Sequence, residues 1–166
     1  MSKITLGGKP VETIGNLPEV GSKAANFTLT DANLKDFSLS DYSGKRVVLN
    51  IFPSINTGVC SASVREFNKR AAGLDNTVVI CISKDLPFSH KQFCAAEGIE
   101  NVVSASQYKN TSFSDNYKVE MTNGNFEKLF SRAVVILDEN GTVIYTEQVP
   151  EIGQEPNYDA AVAALG

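Results

Sequence analysis

Three thiols, Cys60, Cys81 and Cys94, stand in a chain of 166 residues, and their settings differ. Cys60 ends the stretch Pro53-Ser54-Ile55-Asn56-Thr57-Gly58-Val59-Cys60. Just ahead of it, Val47-Val48-Leu49-Asn50-Ile51-Phe52 is the nearly continuous apolar run expected of a buried central strand. Pro53 ends that run, because it has no N–H to give a sheet ladder. Beyond Cys60, the residues Val64, Phe67, Ala71 and Leu74 recur at helical spacing, with Cys60 at the head of the same stripe. A thiol is thereby placed in the first turn of a helix that follows a central strand. There the unpaired N–H groups and the positive end of the helix dipole favour thiolate over thiol. Thr57, three residues upstream, has a hydroxyl able to cap the helix or to hydrogen-bond the sulfur and its substrate. The position also suits a small apolar residue heading a core stripe. The Pro-to-Thr-to-Cys lead-in and the helix start decide for a nucleophilic cysteine.

Cys81 is embedded in Thr77-Val78-Val79-Ile80-Cys81-Ile82-Ser83, a β-branched run in which a thiol serves as inert packing. Cys94 falls late in a short helix expected over Ser89 to Glu97, and its interest depends on a partner. A sulfenic acid at Cys60 can condense with a second thiol to a disulfide. That bond needs Cα atoms within roughly 7 Å, so the Cys94 helix would have to unwind locally if the two sites lie apart. Arg132, just before a strand, reads as a solvated charge or as a guanidinium held near the thiolate to stabilise it and polarise a peroxide oxygen. Arg46 and Arg65 compete for that role, and the sequence leaves the choice among the three open. His90 and Cys94, four apart, have metal-ligand spacing and with Cys60 and Cys81 would make a Cys₃His set. The scatter of these cysteines through strand and helix interiors, without paired knuckles, argues against zinc.

The elements that must position these residues follow from periodicity. Residues 3–14 are two short β runs around Gly7-Gly8-Lys9-Pro10, an N-terminal hairpin. Phe27 to Thr30 and Asp36 to Ser40 alternate as a second hairpin. The central strand over 46–52, the helix over about 60–73 and the strand over 77–83 form a βαβ unit with parallel strands. Lys84-Asp85-Leu86-Pro87 breaks the chain. A short strand over 101–105, a short helix over 112–117, a loop at 122–125, a strand at 133–137 paired with one over 142–147, and a closing helix over 158–165 complete it. The fold class expected is α/β and thioredoxin-like, a central mixed sheet flanked by helices with an N-terminal β-hairpin added. One domain over residues 1–166 is expected from length.

Composition excludes several classes. The net charge is −4 without a basic cluster, so nucleic acid or an anionic membrane has no electrostatic footing as partner. No apolar run approaches the roughly 20 residues of a membrane span, and the N-terminal residues lack the apolar stretch of a secretory signal. A cytoplasmic location is the expectation. Three cysteines make no disulfide framework, and the lack of Cys-x-x-Cys argues against a thioredoxin-type thiol–disulfide oxidoreductase.

The stretch Phe52 to Cys60 with Ser63-Val64-Arg65-Glu66-Phe67-Asn68 resembles the peroxidatic segment of the bacterial thiol peroxidases, a branch of the atypical two-cysteine peroxiredoxins. The likeness extends through Asn76 to Ser83, Asp85-Leu86-Pro87-Phe88 with Phe93-Cys94, and Arg132-Ala133-Val134-Val135. The resemblance implies that Cys60 attacks a hydroperoxide and becomes sulfenic acid. It also implies that Cys94 resolves it to an intramolecular disulfide that thioredoxin reduces. Thr57 and Arg132 would bind the peroxide oxygens and activate the sulfur, and Pro53 would shield the pocket from water. It further implies homodimers, no metal or organic cofactor, and hydrogen peroxide or alkyl hydroperoxides as substrates, hence antioxidant defence. The chain departs from the family pattern at Asn56 (usually Asp), at Lys118 in Tyr117-Lys118-Val119 (usually Gly), and across Asn123 to Ser131. A peroxide sensor that passes oxidation to a partner is the non-enzymatic alternative.

Overall fold

The computed structural model describes residues 2–166. Its elements, in chain order, are strands β1 (Lys3–Leu6), β2 (Lys9–Glu12), β3 (Thr28–Asp31) and β4 (Asp36–Ser38), a 3₁₀ turn (Leu39–Tyr42), and β5 (Arg46–Ile51). Helix α1 (Gly58–Ala71), β6 (Thr77–Ser83), α2 (Pro87–Glu97), β7 (Val103–Ser106) and α3 (Ser112–Tyr117) follow, and then β8 (Ala133–Leu137), β9 (Val143–Gln148) and α4 (Tyr158–Ala164). Seven strands form one mixed sheet in the order β4-β3-β7-β6-β5-β8-β9. The pairs β5–β6 and β6–β7 are parallel, and the remaining pairs are antiparallel. The α/β, thioredoxin-like reading of the sequence therefore holds, N-terminal hairpin included. Boundaries move by a residue or two. Helix α2 starts at Pro87 rather than Ser89, since proline at the first helical turn lacks only an N–H that would go unpaired there.

The central strands bury both faces, which is why their sequences are apolar without a break. Alternation sends Val47, Leu49 and Ile51 of β5 with Ile80 and Ile82 of β6 to one side, where Phe113 and Tyr117 of α3 close over them. Val48, Phe52, Val79, Cys81, Val134 and Ile136 face the other side. There they meet Cys60, Val64 and Phe67 of α1, Ala161 of α4 and, just past its end, Leu165. Register partners run Ser104–Cys81–Asn50–Val134 across β7, β6, β5 and β8. This row is the floor beneath α2 and α1.

The β1–β2 hairpin is a sheet of its own, turned at Gly7 and Gly8, whose φ values of +58° and +79° suit a tight two-residue turn. Ile4 and Val11 pack against Met121 and Ile152 in a third cluster. Thr5 clamps the loop after β9 from both sides. Its N–H donates to the Pro150 carbonyl and its carbonyl accepts from Ile152 N–H, each at 2.8 Å. The hairpin thus fixes the segment that carries the Ile152 carbonyl.

Candidate active site

The chain leaves β5 with one further ladder bond, Phe52 N–H to the Ile82 carbonyl at 3.1 Å, and Pro53 then stops the pairing. Pro53 is buried. Residues 54–57 turn tightly, with Thr57 N–H donating to the Ser54 carbonyl at 3.2 Å. The turn is held from the segment after β6 by Asp85, whose carboxylate accepts from Ser54 Oγ at 2.8 Å and from Ile55 N–H at 2.7 Å. Helix α1 begins at Gly58, so Cys60 occupies its third position, in the first turn as expected.

Thr57 is the N-cap residue, yet its hydroxyl does not cap the helix. It donates to the Ser54 carbonyl at 3.1 Å, which corrects the capping alternative. The nearby carbonyl outcompetes the helix N–H groups for this hydroxyl. With its proton committed there, Thr57 Oγ1 keeps lone pairs to accept a hydrogen bond from an incoming group.

Cys60 is fully buried, with Sγ 3.2 Å from Arg132 Nη2. Of the three candidate arginines, Arg132 is the one that reaches the sulfur. Arg65 pairs with Glu97 at 2.7 Å at the surface, and Arg46 donates to the backbone carbonyls of Asp75 and Leu165. Arg132 lies at the entry to β8, on the face shared by Val134, and is only 2 % exposed. Its Nε donates to the Ile152 carbonyl at 2.8 Å, and its Nη1 is buried without a partner. No carboxylate lies within ion-pair distance of it among the described residues. A buried guanidinium without a carboxylate partner is costly, and the side chain it meets is Cys60. The solvated reading of Arg132 is thereby set aside.

Cys94 is partly buried on α2, 3.3 Å from Ser104 Oγ on β7, and is a free thiol, as are Cys60 and Cys81. From β7 to β8, which Arg132 immediately precedes, is three strand spacings, on the order of 14 Å. Ser104, beside Cys94, and Arg132, beside Cys60, are thereby set at strands that are not neighbours in the sheet. Cys81 is fully buried, and desolvation pushes its thiol up to about 12, against the opposing hydrogen bond from Asn50. It stays protonated and inert, as read from its strand. Among the described residues no three His, Cys, Asp or Glu side chains gather as a metal site.

Two features escaped sequence reasoning. Asn50, in the middle of an apolar strand, donates to Ser63 Oγ at 3.2 Å, and Ser63 Oγ donates to the Cys60 carbonyl at 2.7 Å, tying α1 to the sheet. A polar residue inside a two-face-buried run was the available signal. Asp85, read as part of a chain break, anchors the turn before Cys60. Its role in the turn could not be read locally, because Ser54 and Ile55 are 31 and 30 residues away.

The Redoxin family model matches residues 19–162. Thiol peroxidases of Mycobacterium tuberculosis and Mycobacterium bovis are 52 % identical over 166 residues, covering 100 % of this chain and 99 % of theirs. A peroxiredoxin-like protein from Aquifex aeolicus superposes with a TM-score of 0.93 at 33 % identity, covering 98 % of this chain and 95 % of that one. Thiol peroxidase from Chromobacterium violaceum shares the fold, with a TM-score of 0.90 at 21 % identity over 98 % of this chain and 94 % of that one. The chain belongs to the Redoxin family and, within it, to the bacterial thiol peroxidases.

Proposed function

We propose that this chain reduces hydrogen peroxide and alkyl hydroperoxides with Cys60 as peroxidatic cysteine, Cys94 as resolving cysteine and thioredoxin as reductant. The observation that carries this is the buried Arg132 guanidinium. One N–H is committed to Ile152, one to the Cys60 sulfur, and Nη1 is left without a partner in a site closed to water. Such a fork stabilises an anionic sulfur and offers a further donor to the second oxygen of a peroxide.

The sulfur lone pair attacks the terminal oxygen of ROOH. An S–O bond forms, the O–O bond breaks, and RO⁻ leaves, to be protonated to ROH. The unused lone pairs of Thr57 Oγ1 accept from the peroxide O–H and orient it, while Arg132 bears the charge developing on the departing oxygen. Pro53, buried at the end of β5, keeps water from the pocket. The Cys94 thiol then condenses with the Cys60 sulfenic acid: an S–S bond forms, the S–O bond breaks, and the hydroxyl leaves with the thiol proton as water. An external dithiol resets the pair by exchange. The reading extends to one domain over residues 1–166, a homodimer, antioxidant defence and a cytoplasmic location. No helix among the described residues is long and apolar enough to cross a membrane. The chemistry as written calls on no metal or organic cofactor.

Coupled turnover of hydrogen peroxide and of a tertiary alkyl hydroperoxide, with thioredoxin, its reductase and NADPH, tests the reading. Turnover that Cys60→Ser abolishes is the expected result. Insulin reduction without peroxide turnover would favour a disulfide oxidoreductase instead.

A further inference from the structure

The turn that precedes Cys60 and the helix that carries Cys94 are joined through one carboxylate. Asp85 holds Ser54 and Ile55 of the turn, as described. Its Oδ2 also accepts from Ser83 Oγ at 2.5 Å, and Ser83 Oγ lies 3.0 Å from His90 Nε2. Asp85 N–H donates to the same hydroxyl at 3.1 Å, and its carbonyl accepts from Ser106 Oγ. The single proton of Ser83 Oγ goes to the carboxylate, so the pattern assigns Nε2 as the N–H donor to Ser83. His90 Nδ1 is then a bare acceptor, and it is the ring nitrogen buried without a partner. His90 is 1 % exposed, edge-on to Phe52, and stands one turn before Cys94 on α2. At its other end, α2 is held to α1 by the exposed Arg65–Glu97 pair, an arrangement that contributes little.

Resting on the peroxidase reading above, we propose that Asp85 is a positioning residue for the reaction and His90 the latch through which it keeps α2 folded. The carboxylate fixes the turn that aims Thr57 and Cys60. The same network must part before Cys94 can travel to Cys60. One set of buried hydrogen bonds thereby serves the peroxide step and delays closure of the disulfide.

The test separates the two steps by rapid quench with hydrogen peroxide, alkylation and mass spectrometry of the full chain. Sulfenic acid at Cys60 is followed in a Cys94→Ser background, and disulfide closure with Cys94 intact. Asp85→Asn slows the peroxide step at least tenfold while the circular dichroism spectrum is kept. His90→Leu fills similar space but cannot donate to Ser83, and it raises the ratio of closure rate to peroxide-step rate at least threefold. His90→Gln, which retains a donor, returns that ratio to the wild-type value. Asp85→Asn within twofold of wild type in the peroxide step, or equal ratios for the Leu and Gln variants, would overturn the proposal. Hydrogen exchange of the reduced protein reads the latch without any turnover. Faster exchange over residues 88–97 in His90→Leu than in His90→Gln supports it, and equal exchange overturns it. A wild-type chain that forms no Cys60–Cys94 disulfide would defeat the peroxidase reading, and exchange would then decide the latch by itself.

Discussion

Arg132 donates to the Ile152 carbonyl and to the Cys60 sulfur, and its Nη1 has no partner. Replacing it with Gln removes the charge that matches the sulfur, and the rate of Cys60 oxidation falls by about 10² to 10³, the usual effect of losing a transition-state donor. Lys restores that rate only in part, since a point charge cannot hold Ile152, the sulfur and a peroxide oxygen together. Stopped-flow or quench kinetics with hydrogen peroxide check both variants, and an unchanged rate in Arg132→Gln would remove the guanidinium from the chemistry. Lys118 illustrates a residue that is costly where it stands. It ends α3 with φ +60°, a left-handed position that glycine tolerates freely. The strain of about 1–2 kcal/mol exceeds the 0.5–1 kcal/mol that glycine's extra chain entropy would cost. Lys118→Gly is therefore expected to stabilise the fold by about 0.5 kcal/mol net, a rise of one or two degrees in the thermal midpoint. The placement of Cys60 was legible in the sequence because strand end, helix start and thiol are consecutive. The arginine beside it was not, because whether Arg46, Arg65 or Arg132 meets Cys60 depends on which strand ends up beside β5.

Strands and helices whose apolar pattern is local were readable almost to the residue, β6 and α3 among them. What stayed hidden is how elements brace one another. The β1–β2 hairpin reads as an appendage, yet through Thr5 it sets the Ile152 carbonyl, and that carbonyl orients Arg132. Helix α2 carries a second consequence. Burial holds the His90 imidazole below its ordinary 6.5, with Asp85 opposing the shift more weakly. Above pH 6.5 the ring is neutral in both folded and unfolded chains and contributes no pH dependence. As pH falls below that value the unfolded chain takes up a proton that the folded one refuses. Stability then drops until the lower folded value is passed and levels off beneath it. Denaturant unfolding between pH 7 and pH 5 is expected to show this slope in the wild type and to lose it in His90→Gln. The same slope in both would place the titration elsewhere.

Across the whole molecule, the row Ser104–Cys81–Asn50–Val134 runs between the two candidate segments, with Cys94 over one end and Arg132 beside the other. The proposed disulfide step calls for α2 to shift on the sheet, and the two proposed steps separate in variants. Cys94→Ser consumes about one peroxide per chain and does not recycle with thioredoxin. Undiminished coupled turnover in that variant would remove Cys94 from the cycle. Cys81, protonated in the floor between them, has no part in the exchange, and Cys81→Ala costs on the order of 1 kcal/mol of packing with turnover retained. The sheet order that creates this separation was beyond the sequence, since periodicity names faces and not neighbours. The account is tested most directly by adding one equivalent of hydrogen peroxide to the native chain and mapping its peptides without reduction. One cross-linked species joining the Cys60 and Cys94 peptides, with Cys81 still alkylatable after unfolding, is the predicted result. A disulfide through Cys81, or Cys60 recovered as free thiol, would contradict it.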